Sequence, residues 1–297
     1  MKLTHTLMSI CFLAGCGSGA FDEAALSGAA TLTAQTIAEG SAAPTRDDNM
    51  ALGNPSDATS TPATPDNFLI TRTQYALSFN NSRGVANWVS WHLSSAWRGT
   101  APRSRSFTID NTLPSGFVQV ASDWYTGSGF DRGHICPSED RDGSATDNQA
   151  TFVMTNIQPQ APVNNQETWK ALEDYARTLV DEGNELYIIA GGAGTGGTGS
   201  EGRASSLHDG DVAVPKYVWK IIVVLPVGSN DLSRISSRTR VIAVKMPNSQ
   251  TVNARSWGYY RTSVDELEAL TGYDFLSKVP AAVERVIEAA VDTGPES

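Results

Sequence analysis

Asp131-Arg132-Gly133-His134 sets a carboxylate, a guanidinium and an imidazole around a glycine, and Asn156-Ile157-Gln158-Pro159-Gln160 then leads into Asn165, Trp169 and Glu173. Cleaving a phosphodiester needs a base for water, positive charge for the developing phosphorane, and a hard cation or an acid for the departing oxygen. His134 offers the base and Arg132 a planar cation. Gly133 lets the backbone come close to a ligand. Asn165 and Glu173 offer oxygen donors of the kind Mg²⁺ takes, directly or through water. Singly, these residues have blander uses: Asn165 as a helix cap, Trp169 as packing, Glu173 with Arg177 as an i,i+4 ion pair. Their joint appearance points to metal-assisted phosphodiester hydrolysis.

Such a site needs a helix that turns its ligands one way. Each helical residue advances ~100°, so Asn165, Trp169, Glu173 and Arg177, spaced by four, form one slowly drifting stripe. Asn164 and Glu167 have the N-x-x-E form of a capping box, opening a run to about Val180 that Glu182-Gly183-Asn184 stops. Ser263-Val264-Asp265-Glu266 opens a second helix closed by Gly272, and Ala281 to Val291 is a third. Phe68 to Phe79 reads as a strand that turns at Asn80 to Gly84 and returns through Ala86 to Leu93 as a β-hairpin. Phe117 to Val120, Phe152 to Met154, Leu186 to Ala190, Val218 to Leu225 and Arg240 to Met246 are further strands. Gly191 to Gly202 follows a strand but is not continued by Gly-Lys-Ser/Thr, which makes it a mobile surface hairpin rather than a phosphate loop.

The chain has 297 residues, 40% hydrophobic and 18% charged, enough for a substantial core and unlike a disordered chain. Met1-Lys2 and the short apolar run Leu7 to Cys16 read as an export signal, and Leu13-Ala14-Gly15-Cys16 resembles a bacterial lipobox with lipid attachment at Cys16. The expected organisation is a signal peptide over 1–15, a flexible tether over 16–48 rich in Ala, Gly, Ser and Thr, a catalytic domain over 49–292 and a tail over 293–297. The expected location is the cell envelope as a lipoprotein, or else the periplasm or exterior. With Cys11 lost and Cys16 acylated, Cys136 stands alone and no intramolecular disulfide forms. The net charge of -10 lies mainly in the ends: residues 17–66 carry -6 and 281–297 carry -3, whereas 67–280 carry 19 bases against 21 acids. A nearly neutral body is free to present a local basic cleft to a polyanion.

Beyond these motifs, Gly53-Asn54-Pro55-Ser56, Gln74 to Ser78, Asp131 to Cys136, Thr155-Asn156, Asn164-Asn165, Leu172-Glu173-Asp174-Tyr175, Val214-Pro215-Lys216 and Thr271 to Leu276 resemble the DNA/RNA non-specific endonucleases. These are ββα-metal (His-Me finger) nucleases, and the likeness is greatest to the cyanobacterial, sugar-non-specific kind. It runs from about residue 50 to about 280. The resemblance implies an α+β fold, a central antiparallel β-sheet flanked by helices, with a ββα-metal motif at the site. It implies that His134 activates water as a neutral imidazole near its ordinary pKa, and that Asn165 is the sole direct protein ligand of Mg²⁺, with Mn²⁺ as a substitute. Glu173 would reach the metal through water, Arg103 would stabilise transition-state charge with Arg105 as an alternative, and Arg132 and Arg177 would hold phosphate oxygens. Asp131 would orient its neighbours. The glycine-rich hairpin around Gly194 to Asp211 is longer than the family pattern.

The expected partners are DNA and RNA substrates, the membrane through Cys16, and an inhibitor protein as an optional one; no obligate protein partner is evident. Two rival readings stay open at this point. One is a thiol hydrolase using Cys136 with His134, whose side chains share a face on an extended segment. The other is a non-catalytic exported lipoprotein.

Overall fold

The long strands are apolar at successive positions rather than at alternate ones, as in a sheet covered on both faces. The computed structural model describes residues 43–296. Its main sheet has seven antiparallel strands: β1 (Phe68–Thr71), β2 (Ala76–Asn80), β3 (Val85–Leu93), β6 (Asn184–Ala193), β11 (Tyr217–Pro226), β12 (Arg240–Pro247) and β13 (Arg261–Thr262), side by side in that order. Three two-stranded ribbons complete the β structure: β4 (Asp131–His134) with β5 (Ile157–Gln160), β7 (Gly197–Gly199) with β8 (Gly202–Ala204), and β9 (Ser206–Leu207) with β10 (Val212–Ala213). The helices are α1 (Ala145–Ala150), α2 (Trp169–Asp181), α3 (Asp231–Arg234), α4 (Val264–Thr271) and α5 (Ala281–Ala289). Among the described residues no helix is long and apolar enough to cross a membrane.

Strand parity divides the core. Leu186, Ile188 and Ala190 of β6, Val218 and Ile222 of β11, and Ile242, Val244 and Met246 of β12 pack with Trp169, Leu172, Ala176 and Leu179 of α2. The alternate residues, Tyr187, Ile189, Trp219, Ile221, Val223, Val241 and Ala243, pack with Val264 and Leu267 of α4 and Ile287 of α5. Lys220 shares the parity of Val218 and Ile222, so its side chain points to the α2 face.

Several local expectations change. Phe68–Phe79 is two strands, because Arg72 N–H donates to Tyr75 C=O (2.9 Å) and β2 folds back on β1. Phe117–Val120 is loop: Val118 N–H is taken by Asn81 Oδ1 (2.7 Å), and Phe117 packs edge-on against Phe68 (5.1 Å), so core burial is met without a ladder. Phe152–Met154 offers one bridge, Val153 to Thr108, before a 3₁₀ turn. Asn164 is no cap. Its side chain accepts from Gln160 Nε2 (2.6 Å) and donates to Pro247 C=O (3.0 Å), bracing β5 to β12, and residues Asn164–Thr168 form a wide π turn ahead of α2. Ser263 does cap α4 by accepting from Glu266 N–H (3.1 Å), and Gly272 closes it at φ 74°.

The expected signal peptide, Cys16 and the tether as far as residue 42 lie outside the described residues. The last tether residues are tied to the body, since Arg46 pairs with Asp147 (3.1 Å) and Asp47 N–H donates to His92 Nδ1 (3.3 Å). The tail is tied too: Gly294 C=O accepts from Arg261 (2.7 Å) and Pro295 C=O from Arg240 (3.0 Å).

Candidate active site

The antiparallel ribbon of β4 and β5, in register from Asp131 opposite Gln160 to His134 opposite Ile157, runs into the π turn and α2. Two strands and a helix thus share one corner. Asn156 fixes the end of β4: its Oδ1 accepts from Cys136 N–H (2.9 Å), and its Nδ2 donates to Cys136 C=O and Thr151 C=O (2.9 Å each). Gly133 has a different reason from the one its sequence context gives. A Cβ there would sit 2.2 Å from Gln160 Oε1 and 2.7 Å from Gln160 Cβ, so the space belongs to the opposing strand and not to a ligand.

The corner opens into a cavity of about 270 Å³ lined by Arg103, Arg132, His134, Pro137, Ser138, Glu139, Asn165, Gln166, Lys170, Glu173 and Arg177. Four basic side chains meet two acidic ones there, a balance suited to a phosphate. Every site residue expected from the sequence is present except Asp131, which lies behind Asn165. Asp131 Oδ2 accepts from Asn165 Nδ2 and from Gln166 Nε2, both at 2.8 Å. That fixes the amide so that its Oδ1 is the atom left to accept or ligate.

His134 is buried, its ring edge-on to Phe152 (4.5 Å) and tilted against Phe107 (5.5 Å), and its Nε2 is enclosed without a partner. Burial, aided by the Arg103 charge, pushes the imidazole down to about 3. A neutral imidazole is as expected; the ordinary pKa is not. Arg103 donates to Ser138 Oγ and lies over Phe152 (5.2 Å). Arg105 is not part of the lining. Arg132 is held by Ser122 C=O (2.8 Å) and Thr126 Oγ1 (3.2 Å).

Glu173 and Arg177 do not pair as their i,i+4 spacing allows. Arg177 is engaged by Asp140 (3.1 Å), Glu139 (2.9 Å) and Asp174, and Asp140 in turn accepts from Trp91 Nε1 (2.9 Å). Its fork therefore serves carboxylates of the chain before any phosphate. Glu173 instead receives Lys220 Nζ at 3.2 Å. Burial raises the Glu173 carboxyl, while Lys220 and Arg177 oppose the rise. Lys220 is 1% exposed, with its ammonium 4.4 Å from the Trp169 ring and 5.6 Å from Trp91. Sequence reasoning passed over it. The signal was a single Lys within Val218-Trp219-Lys220-Ile221-Ile222-Val223, which demands a buried acid as partner. Ser138, Glu139, Gln166 and Lys170 were missed as well and carry no comparable signal.

Cys136 does not join this set. It is fully buried among core residues, and burial pushes its thiol up to about 12, which removes the thiolate a thiol hydrolase needs. Two other groups of described residues bring ligand atoms within metal-binding reach, Asp47/His92/Glu185/Asp231 and Asp265/Glu268/Glu288. Neither borders this cavity. In the first, Nδ1 of His92 accepts from Asp47 N–H, which leaves the ring proton on Nε2, 3.3 Å from Glu185; Arg234 bridges Glu185 and Asp231. That group satisfies itself.

A family model described as DNA/RNA non-specific endonuclease matches residues 52–282. A nuclease of Nostoc sp. is 52% identical over 244 residues, covering 82% of this chain and 86% of the relative. Nuclease C1 of Cunninghamella echinulata is 29% identical over 226 residues, covering 73% and 86%. Among solved structures, the EndoG/EndoGI complex matches with a TM-score of 0.64 at 21% identity, over 78% of this chain and 91% of the other, which bears on the fold.

Proposed function

Because the chain belongs to the DNA/RNA non-specific endonuclease family and hydrolyses phosphodiester bonds, we propose that its reaction takes place in the cavity between β4, the π turn and α2. The observation that carries this reading is the convergence there of a neutral imidazole, an amide oxygen fixed by Asp131, and four basic side chains. Apart from the His134 imidazole, the free donors assigned to the ion are oxygen, Asn165 Oδ1 and the Glu173 oxygen that Lys220 leaves, as a hard ion such as Mg²⁺ or Mn²⁺ requires. Asn165 would hold the ion directly and Glu173 through water. Bound there, the ion would polarise the phosphate and offset charge on the leaving oxygen.

The chain's own groups do the rest. His134, neutral at physiological pH and screened from bulk water by Phe107 and Phe152, takes the proton of the attacking water. Arg132 and Arg103 receive the phosphate oxygens, and their planar forks match the charge that spreads over them in the transition state. Arg177 acts by holding Glu139 of the cavity wall, and with it Asp140 and Asp174, in place. Contacts of this kind read phosphate and not base, which accounts for action on DNA and RNA without sequence preference.

We also propose export, with lipid attachment at Cys16, on the strength of Leu13-Ala14-Gly15-Cys16. A protein inhibitor that plugs this cavity is a further partner in keeping with the EndoG/EndoGI neighbour. Digestion of plasmid DNA and of RNA with Mg²⁺, with EDTA, and by His134→Ala tests the catalytic reading. Cleavage that EDTA and His134→Ala both abolish is the expected result; cleavage that persists in either case overturns the assignment.

A further inference from the structure

On the opposite face of the sheet, α4 and α5 bring carboxylates together with nothing to offset them. Asp265 and Glu268, three apart on α4, share a side, and Glu288 follows the core residue Ile287 on α5. One oxygen from each lies within 4.8 Å of the others. Among the described residues none of the three is in an ion pair, and Lys245, on the neighbouring β12, pairs with Glu266 instead (3.4 Å). Glu268 Oε1 accepts from Phe275 N–H (2.8 Å), which leaves its second oxygen for the cluster. Glu288 is the telling member. It is only 6% exposed, and its Oε1 is enclosed without any hydrogen-bond partner.

An enclosed carboxylate oxygen without a donor, facing others of like charge, is an incomplete arrangement. Among the described residues no Lys or Arg side chain pairs with any of the three, so the group has like charges facing one another and no counter-charge of its own. Three carboxylates within reach of one point are an all-oxygen protein set of the kind Ca²⁺ takes, whereas Mg²⁺ keeps most of its waters and is usually held by one or two carboxylates. Asp265 is exposed, which lets water complete the shell.

We propose that Asp265, Glu268 and Glu288 form a Ca²⁺ site that ties α5, and with it the C-terminal segment, to α4. The site is separate from the catalytic cavity, which α2 builds on the other face. The whole chain, stripped of metal and carrying Asn165→Ala to disable the cavity, is titrated with CaCl₂ by calorimetry and by thermal melting. One Ca²⁺ per chain and a rise in Tm are expected. Adding Glu268→Gln and Glu288→Gln weakens binding at least tenfold and removes the rise, while the metal-free Tm stays level or climbs because like charges are gone, a control that the variant is folded. In the otherwise unaltered chain, Glu288→Gln keeps the Mg²⁺-dependent nuclease rate within twofold. Absence of Ca²⁺ binding at millimolar concentration by Asn165→Ala, or equal binding with and without the two glutamines, overturns the site.

Discussion

Lys220→Met removes the one cation that the β11 parity directs at Glu173 while keeping most of the stem that fills the space beside Trp169 and Trp91. At the observed 3.2 Å, the gross attraction with an effective dielectric of about 20 is ~5 kcal/mol. Removing one partner of a buried pair costs about 3–5 kcal/mol, because the other charge is left enclosed. In a domain of this size each kcal/mol moves Tm by about 2–4 °C, so the variant is expected to melt roughly 6–20 °C lower. Glu173 then loses a charge that opposes the upward push of burial on its carboxyl, and nuclease activity should fall by at least tenfold. The double variant Lys220→Met/Glu173→Gln should recover most of the stability and none of the activity, because a neutral amide no longer needs the ammonium but cannot replace the carboxylate. Thermal melting and plasmid digestion of the four forms make the measurement. A Tm loss below about 2 °C in Lys220→Met, or losses in the single variants that add up in the double one, would refute the pairing as a determinant of the site.

His134→Ala should lower the cleavage rate by about 10²–10⁴, the usual reach of a general base, checked by initial rates at saturating Mg²⁺. Its depressed pKa also fixes a sign for stability. Below its ordinary value near 6.5 the unfolded chain takes up a proton that native His134 refuses until about 3, so native stability falls with pH across that window. His134→Gln should therefore gain Tm relative to the parent as pH falls from 7 to 4, and parallel melting curves would contradict this. Asp131→Ala frees the Asn165 amide and should raise the Mg²⁺ requirement about 10–100-fold, read from rates across a Mg²⁺ titration. Cys136→Ser should retain chelator-sensitive activity at the parent level, and a loss specific to this variant's chemistry would reopen the thiol mechanism.

How far the site was legible in the sequence depended on how local each residue's reason for its place is. His134, Asn165 and Glu173 declare themselves by type and by the short stretches that hold them, although Asn165 reaches the site from a π turn and only Glu173 from the helix proper. The long central strands were legible for the same reason, since β-branched runs such as Ile221 to Val224 have few alternatives. Phe117–Val120 and Phe152–Met154 have similar apolar content, yet Phe117 and Phe152 give their N–H groups to turn carbonyls three residues back, Val118 gives its own to the distant Asn81 side chain, and Val153 has a single bridge. Asn164 shows the same limit from the other side. Its N-x-x-E context is that of a cap, but Gln160 and Pro247 claim its amide once β5 and β12 come together.

Asp131 and Lys220 show why the parts of the site that sequence left unsettled are the ones that set its precision. Neither borders the cavity, and each acts on a residue that does: Asp131 orients the Asn165 amide, and Lys220 holds the Glu173 charge. An asparagine has little to fix which of its two amide atoms faces inward, and a carboxylate as enclosed as Glu173 tends to take up a proton. Each weakness of a cavity residue is answered from an adjacent strand, β4 for the first and β11 for the second. The two supports are independent, one a matter of orientation and the other of charge. Loss of Asp131 should therefore be partly overcome by more Mg²⁺, whereas loss of Lys220 should not.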